Sequence, residues 1–581
     1  MKRALLLVLM SLAGLSMKGQ DVDVSPVKHH EDSARWLDDD NVLDATMDSL
    51  AKANQARPVS GSSRIGNNPV LFLVGNSTMR NGTLGNGNNG QWGWGYYSHL
   101  FFDSQKITVE NHALGGTSPR TFYRQLWEAV LEGVRPGDYV VLELGHNDNG
   151  AIDSGRARSS YISPKSEGGP YDAHLSEDST TVRVKTSTRI LPEETVYTFG
   201  GYIRRFVNDI RSKGATPILL TLTPRNSYEK EDTNKIDRKL TTFTPWIRAM
   251  SEELHTPFID LNDISASKLE RYGKHKTNYH FFGDKIHSSE FGARMNASSF
   301  AEGLDQCLDP QVAELRSYLI QDMIHPLPIL EWHPNWMVVG PHDYPRHTKK
   351  IPTIYLAGDS TGKNEDKDEN GMWGWGSQAG TIFNGEKCIF VNCAKAGRST
   401  RTFLEEGRWD EIYNSLEPGD YVLLQFGHND IGGIDKDKER GVIATADDTC
   451  HVYKMSSDGR YEVIYSFGWY LKKFIEDTRE KGATPILLSL TPRNEWPGGK
   501  VERRNDTYGK WYRQVVEETG VDFVDIHNIT ADALDKMGRE NAAAMYNHDH
   551  THTSLEGARL NCKSLAKGLK QIKSPLRNML R

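Results

Sequence analysis

Ser77 and Ser360 each follow a short apolar run and a glycine, in "LFLVGNSTMRNG" (Leu71–Gly82) and "IYLAGDSTGKNE" (Ile354–Glu365). A serine hydroxyl is a weak nucleophile until a base takes its proton, and an imidazole does this best when a carboxylate fixes its tautomer. Near the end of each copy one loop offers both groups, Asp284 with His287 in "DKIHSSEFGARMNA" and Asp549 with His552 in "DHTHTSLEGARLNC". Acyl transfer also needs donors aimed at a developing oxyanion. The N–H groups of Ser77 and Gly116 with the Asn147 amide could supply them in the first copy, and those of Ser360 and Gly397 with Asn429 in the second. The copies disagree beside the serine, with Asn76 in one and Asp359 in the other.

These residues sit in blocks that recur in one order, about 265 to 283 positions apart. "WGWG" at Trp92 and Trp373 is followed by "NHALGGTSPRTF" and "NCAKAGRSTRTF", then "PGDYVVLELGHND" and "PGDYVLLQFGHND", then "GATPILLTLTPRN" and "GATPILLSLTPRN". A repeat of this size is a domain duplication. In the first copy, apolar runs at 70–75, 107–110, 138–144, 216–222 and 257–261 are continuous enough for strands buried on both faces. Between them, "GGYIRRFVNDIRSKG" puts Ile203, Phe206, Val207 and Ile210 on one helical face and stops at Gly214. Its counterpart does the same with Leu471, Phe474 and Ile475. The alternation predicts an α/β class with two tandem three-layer α/β/α domains, each on a parallel central sheet with reactive residues at its carboxyl edge.

Ser, Gly, Asn and Asp-x-x-His blocks in this order resemble the SGNH (GDSL-type) hydrolase superfamily, whose domains are flavodoxin-like, and the resemblance covers both repeats. In the second copy "GDST", "NCAKAGRSTRTF", "FGHND" and "DHTH" look like the rhamnogalacturonan acetylesterases of carbohydrate esterase family 12. The resemblance implies removal of acetyl groups from pectic polysaccharide by a Ser-His-Asp triad, with no metal and no cofactor. It assigns the triads to Ser77, Asp284, His287 and to Ser360, Asp549, His552, and the oxyanion holes to the donors named above. Arg120 and Arg401 then become candidates for pairing with galacturonate carboxylates, with a structural ion pair the competing reading. His146 and His428 read as hydrogen-bonding residues, and the tryptophans of "WGWG" as core. The first copy departs from the family pattern at Asn76 and at Thr117, opposite Asp359 and Arg398.

Charge and composition narrow the partners. With 70 Lys and Arg against 77 Asp and Glu, the net charge of −7 gives no field that would draw nucleic acid or an anionic bilayer. The opening "MKRALLLVLMSLAGLSMKGQ" has the basic, apolar and small-residue pattern of a secretory signal peptide over 1–19, which implies a periplasmic or extracellular protein without a membrane anchor. A polar extension (20–69), a first domain (70–310), a linker rich in Pro and Trp (311–350) and a second domain (351–581) follow. Five cysteines, four of them in the second copy, form no pair shared by both repeats and read as core residues. The rivals are an esterase for another acetylated polysaccharide such as xylan, or one catalytic domain beside a carbohydrate-binding one. Residues 150–200 are about fourteen longer than their counterpart and share no block with it, as suits a segment that shapes a substrate groove.

Overall fold

The computed structural model describes residues 57–325 and 351–581, apart from 82–86, 88, 155, 165–169, 186–189 and 364–370. The expected signal peptide, residues 20–56 of the extension and residues 326–350 of the linker lie outside the described residues.

In the first repeat the strands are β1 (Val70–Gly75), β2 (Thr108–Asn111), β3 (Tyr139–Glu143), β4 (Ser179–Lys185), β5 (Ile190–Tyr197), β6 (Thr216–Leu220) and β7 (Phe258–Ile259). Those of the second are β8 (Thr353–Gly358), β9 (Ile389–Asn392), β10 (Tyr421–Gln425), β11 (Cys450–Lys454), β12 (Tyr461–Tyr465), β13 (Thr484–Leu488) and β14 (Asp522–Val524). Five strands of each repeat form a sheet, in the order β2-β1-β3-β6-β7 and its equivalent β9-β8-β10-β13-β14. Every pairing in both is parallel. Strands β1, β3, β8 and β10 are buried along their whole length, which is why they are uninterrupted apolar runs.

The helices that matter for the site are α1 (Pro119–Gln125), α2 (Phe199–Ser212) and α3 (Glu290–Gln306), with α4 (Thr400–Glu405), α5 (Phe467–Glu480) and α6 (Leu555–Gln571) as their counterparts. The stripe read on α2 is buried at all four positions, and Gly214 takes the left-handed conformation that ends it. Each site helix starts on a side-chain cap. Ser118 and Ser399 form capping boxes with Thr121 and Thr402, while Ser289 and Ser554 accept from the N–H of Gly292 and Gly557.

Two features depart from the sequence expectation. Residues 311–325 are no linker: Val312, Leu315 and Leu319 are buried in the first core, and Ile320 N donates to Phe101 O. Their apolar spacing was the signal for a packed helical end. The segments without shared sequence nonetheless share a shape, since β4–β5 and β11–β12 are antiparallel hairpins in equivalent places. The described end of the extension lies on the first domain, where Arg64 makes a two-pronged pair with Asp138 and Glu110 accepts from the N–H of Gly61 and Ser63. Among the described residues no disulfide joins any two cysteines, and Cys388 and Cys562 are fully buried.

Candidate active site

In each sheet the chain leaves the central strand for one edge and returns across it, so β1/β3 and β8/β10 are the switch points where the loops part. Ser77 and Ser360 stand just past the ends of β1 and β8 and are half-buried. His287 Nε2 lies 2.8 Å from Ser77 Oγ, and His287 Nδ1 lies 2.6 Å from Asp284 Oδ2. The second repeat repeats the pattern, with His552 Nε2 2.9 Å from Ser360 Oγ and Nδ1 2.6 Å from Asp549 Oδ2. The other oxygen of each aspartate accepts backbone N–H groups, from Ile286 and His287 in one loop and Thr551 and His552 in the other. Burial alone would raise the Asp284 carboxyl, but the His287 ring and these donors outweigh it and bring its pKa to about 2. Asp549 is lowered for the same reasons. Both therefore stay charged and hold the Nδ1 proton, leaving Nε2 to accept from the serine.

The histidine loops are tied to their helices by close packing. A Cβ on Gly292 would fall 1.9 Å from the carbonyl oxygen of His280, and one on Gly557 1.9 Å from that of Met545. This explains the glycine of the shared "GAR" stretch.

Gly116 and Gly397 have φ of 77° and 78°, a region that suits glycine. Asn147 Nδ2 donates to Thr117 O at 3.1 Å and Asn429 Nδ2 to Arg398 O at 2.9 Å, so each amide is anchored to the residue after the glycine. One amide proton is used there and the second remains for a ligand.

His146 and His428 are buried and hydrogen-bond Thr223 and Thr491. Burial lowers His146 to about 3 and His428 well below its usual range, so both are neutral. Trp92, Trp94 and Trp375 are core residues, and the indole N–H groups of Trp94 and Trp375 donate to Glu143 and Gln425.

Asn76 and Asp359 play the same local part, because Oδ1 of each accepts the N–H and hydroxyl of the threonine two residues on, Thr78 or Thr361. A second exchange accompanies the first. At the end of β3 stands Glu143, fully buried, where β10 ends in Gln425. Thr78 Oγ1 is 3.0 Å from Asn76 Oδ1 and 3.2 Å from each Glu143 oxygen. Burial raises the Glu143 carboxyl to about 7, and raises Asp359 as well. Each site thus keeps one carboxyl of this pair of positions.

Arg120 and Arg401 are spent on groups of the protein itself. Both are buried, Arg120 on Glu194 and the carbonyls of Ile152 and Ser159, Arg401 on Glu405, Glu462 and the carbonyl of Ile434. Glu194 and Glu462 come from the hairpins, far along the chain from the arginines, whereas Glu405 lies four residues after Arg401 on α4. Sequence reasoning instead passed over Arg158 and Arg440, twelve residues beyond His146 and His428. Arg440 Nη1 donates to the carbonyl of Gly397 at 3.2 Å, and Arg158 reaches Asn149. Neither has a carboxylate in ion-pair contact among the described residues. Burial lowers Arg158 to about 10, which leaves it charged at neutral pH. Only the alignment of the segment after "GHND" could have found them. Among the described residues no group of three or more His, Cys, Asp or Glu could hold a metal, and no helix is long and apolar enough to cross a membrane.

A family model described as the GDSL-like lipase/acylhydrolase family matches residues 73–295 and 356–560. A rhamnogalacturonan acetylesterase of Emericella nidulans is 34% identical over 208 residues, covering 36% of this chain and 80% of that protein. From Bacillus subtilis, the rhamnogalacturonan acetylesterase RhgT is 30% identical over 247 residues, covering 40% of this chain and 95% of its own length. The probable rhamnogalacturonan acetylesterase YesY of the same organism is 31% identical over 229 residues, covering 38% and 94%.

Proposed function

The chain belongs to the GDSL-like lipase/acylhydrolase family and is an ester hydrolase, and on that footing we propose a carbohydrate O-acetylesterase with two active sites, acting on pectic polysaccharide. The observation that carries this reading is the pair of Ser–His–Asp chains at 2.8 and 2.6 Å in one domain and 2.9 and 2.6 Å in the other. The serine Oγ attacks the acetyl carbonyl carbon while its proton passes to Nε2 of His287 or His552. The tetrahedral oxyanion is held by the serine and glycine N–H groups and the free proton of Asn147 or Asn429. As the intermediate collapses, the imidazolium returns the proton to the departing sugar oxygen. Water, deprotonated by the same imidazole, then attacks the acetyl-serine and frees acetate and the serine hydroxyl.

The names of the three relatives support rhamnogalacturonan as the polymer. Arg158 and Arg440, neither with a carboxylate in ion-pair contact among the described residues, replace Arg120 and Arg401 as the groups that meet uronate carboxylates. The basic and apolar first residues support action outside the cytoplasm.

Acetate release should be measured from acetylated rhamnogalacturonan, acetylxylan and 4-nitrophenyl acetate with the full chain and with Ser77→Ala, Ser360→Ala and the double variant. We expect each single variant to retain activity and the double variant to have none. Activity that survives both changes sinks the mechanism, and a preference for acetylxylan sinks the pectic assignment.

A further inference from the structure

The two repeats meet through faces that are not the same in the two copies. Tyr279 and Phe291 flank the first histidine loop. Tyr279 packs edge-on to Trp469 of the second repeat at 4.9 Å between ring centroids, and Phe291 lies 5.3 Å from Trp469 and 5.8 Å from Tyr465. The Lys473 ammonium sits 5.4 Å from the Phe291 ring, and Arg294 donates to the carbonyl of Glu405 at 3.3 Å. Tyr279 and Phe282 are buried as members of the second domain's core cluster.

Three of the four aromatic groups that make this contact differ from their repeat counterparts, and Tyr465, opposite Tyr197, is the one that is shared. Opposite Tyr279 and Phe291 the second histidine loop has Ala544 and Glu556, both exposed. Opposite Trp469 the first domain has Gly201, which offers no ring at that position of α2. The contact is head to tail, so identical faces could have continued it into a chain of domains. Ala544, Glu556 and Gly201 end it after one step.

The docked residues bracket the loop that carries Asp284 and His287. Ser289 Oγ donates to the carbonyl of Tyr279, Ser289 N donates to His280 O at 3.1 Å, and Phe282 N donates to His287 O at 2.9 Å. Holding Tyr279 and Phe291 therefore holds both ends of the loop. Among the described residues the second histidine loop has no such outside support, and its flanking positions Ala544 and Glu556 are exposed.

We propose that the second domain serves as the support for the first domain's histidine loop, with Trp469 and Tyr465 as positioning residues for His287, so that the first site depends on the second domain and the second site does not depend on the first. The inference deepens the two-site esterase reading and rests on it.

The test uses the full chain carrying Tyr279→Ala with Phe291→Glu, the residues that the second loop already accommodates. In a Ser360→Ala background, which reports the first site, kcat on 4-nitrophenyl acetate should fall about tenfold or more with KM nearly unchanged, since small misplacements of a reacting group are costly. In a Ser77→Ala background, which reports the second site, kcat should stay within about twofold of its value without the interface changes. Amide exchange should accelerate over 279–291 and over Phe467–Glu480. The conservative pair Tyr279→Phe with Phe291→Leu should keep both rate and protection. Unchanged exchange overturns the docking, and accelerated exchange with an unchanged first-site kcat overturns the positioning role. Adding Ser77→Ala to Ser360→Ala separates the two readings. Turnover that persists means the first site is not the esterase we propose, while the exchange data judge the docking by themselves.

Discussion

Glu143 ends β3 where Gln425 ends β10, and the exchange is matched one strand away by Asn76 in place of Asp359. The two positions communicate in the first site through Thr78, whose hydroxyl reaches both side chains. Two buried carboxyls in hydrogen-bond reach of one hydroxyl would repel each other and share too few donors. The duplicated sites have each kept one, Glu143 in the first and Asp359 in the second.

Asn76→Asp alone should therefore not improve the first site. It places a second carboxyl beside Glu143, and we expect a loss of about 1–3 kcal/mol in stability. Combining it with Glu143→Gln, which copies the second site, should recover most of the loss. A thermal unfolding cycle over the wild type, the two single variants and the double variant reads this directly; additive effects would show that the positions are independent.

Buried carboxyls with raised pKa values set a pH dependence of definite sign. Glu143 and Asp430 are pushed to about 7 and Asp148 to about 6, chiefly by burial. Between the ordinary carboxylate range and these values the folded state holds more protons than the unfolded one, so stability falls as pH rises from about 4.5 to about 7. Glu143→Gln should flatten that fall, by at most about 1.4 kcal/mol per pH unit for one proton. Asp284 acts oppositely and elsewhere, since its lowered pKa contributes stability that is lost only as pH drops toward about 2. Melting temperatures at pH 5, 6 and 7 for the wild type and Glu143→Gln test the slope.

The triad acids and the acid beside Ser360 should behave differently. Asp284→Asn in a Ser360→Ala background, and Asp549→Asn in a Ser77→Ala background, should each lower kcat by about 10⁴-fold, because the imidazole loses its orienting acceptor. Asp359→Asn should cost less than about tenfold, since an amide oxygen can take the same two bonds from Thr361 that Asn76 takes from Thr78. Single-turnover and steady-state rates on 4-nitrophenyl acetate distinguish these cases.

Two arginines of the second domain should separate binding from stability. Arg440→Ala in a Ser77→Ala background should raise KM several-fold on acetylated rhamnogalacturonan and leave KM for 4-nitrophenyl acetate alone. Arg401→Ala should lower the melting temperature, by about 1–3 kcal/mol in stability, because Glu405 loses its guanidinium and Glu462 keeps only that of Arg460. A KM effect from Arg401→Ala without lost stability would restore it as a substrate residue.

Much of this was legible in the residues. The runs at 70–75 and 138–144 are strands because both their faces are buried, and a continuous apolar run has few other uses at that length. Asp284 and His287 could be paired on paper because three residues of one loop fix their separation. Between the two readings of Arg120 and Arg401 the residues could not choose. Their partners Glu194 and Glu462 occupy matching places on the hairpin strands, tens of positions from the arginines, and only the fold brings those strands over α1 and α4.

The sequence alone determined the duplication, the class of fold and the candidates for the reacting groups, because these depend on local periodicity and on residue types that recur in order. Tertiary structure alone decided which polar groups are spent on one another. It showed Glu143 standing in for the carboxyl that Asn76 lacks, Arg158 and Arg440 with no carboxylate in ion-pair contact among the described residues, and Trp469 seated against the loop of His287. Those relationships join residues tens to hundreds of positions apart, and pairing at such range is set by packing, which no short stretch of sequence records.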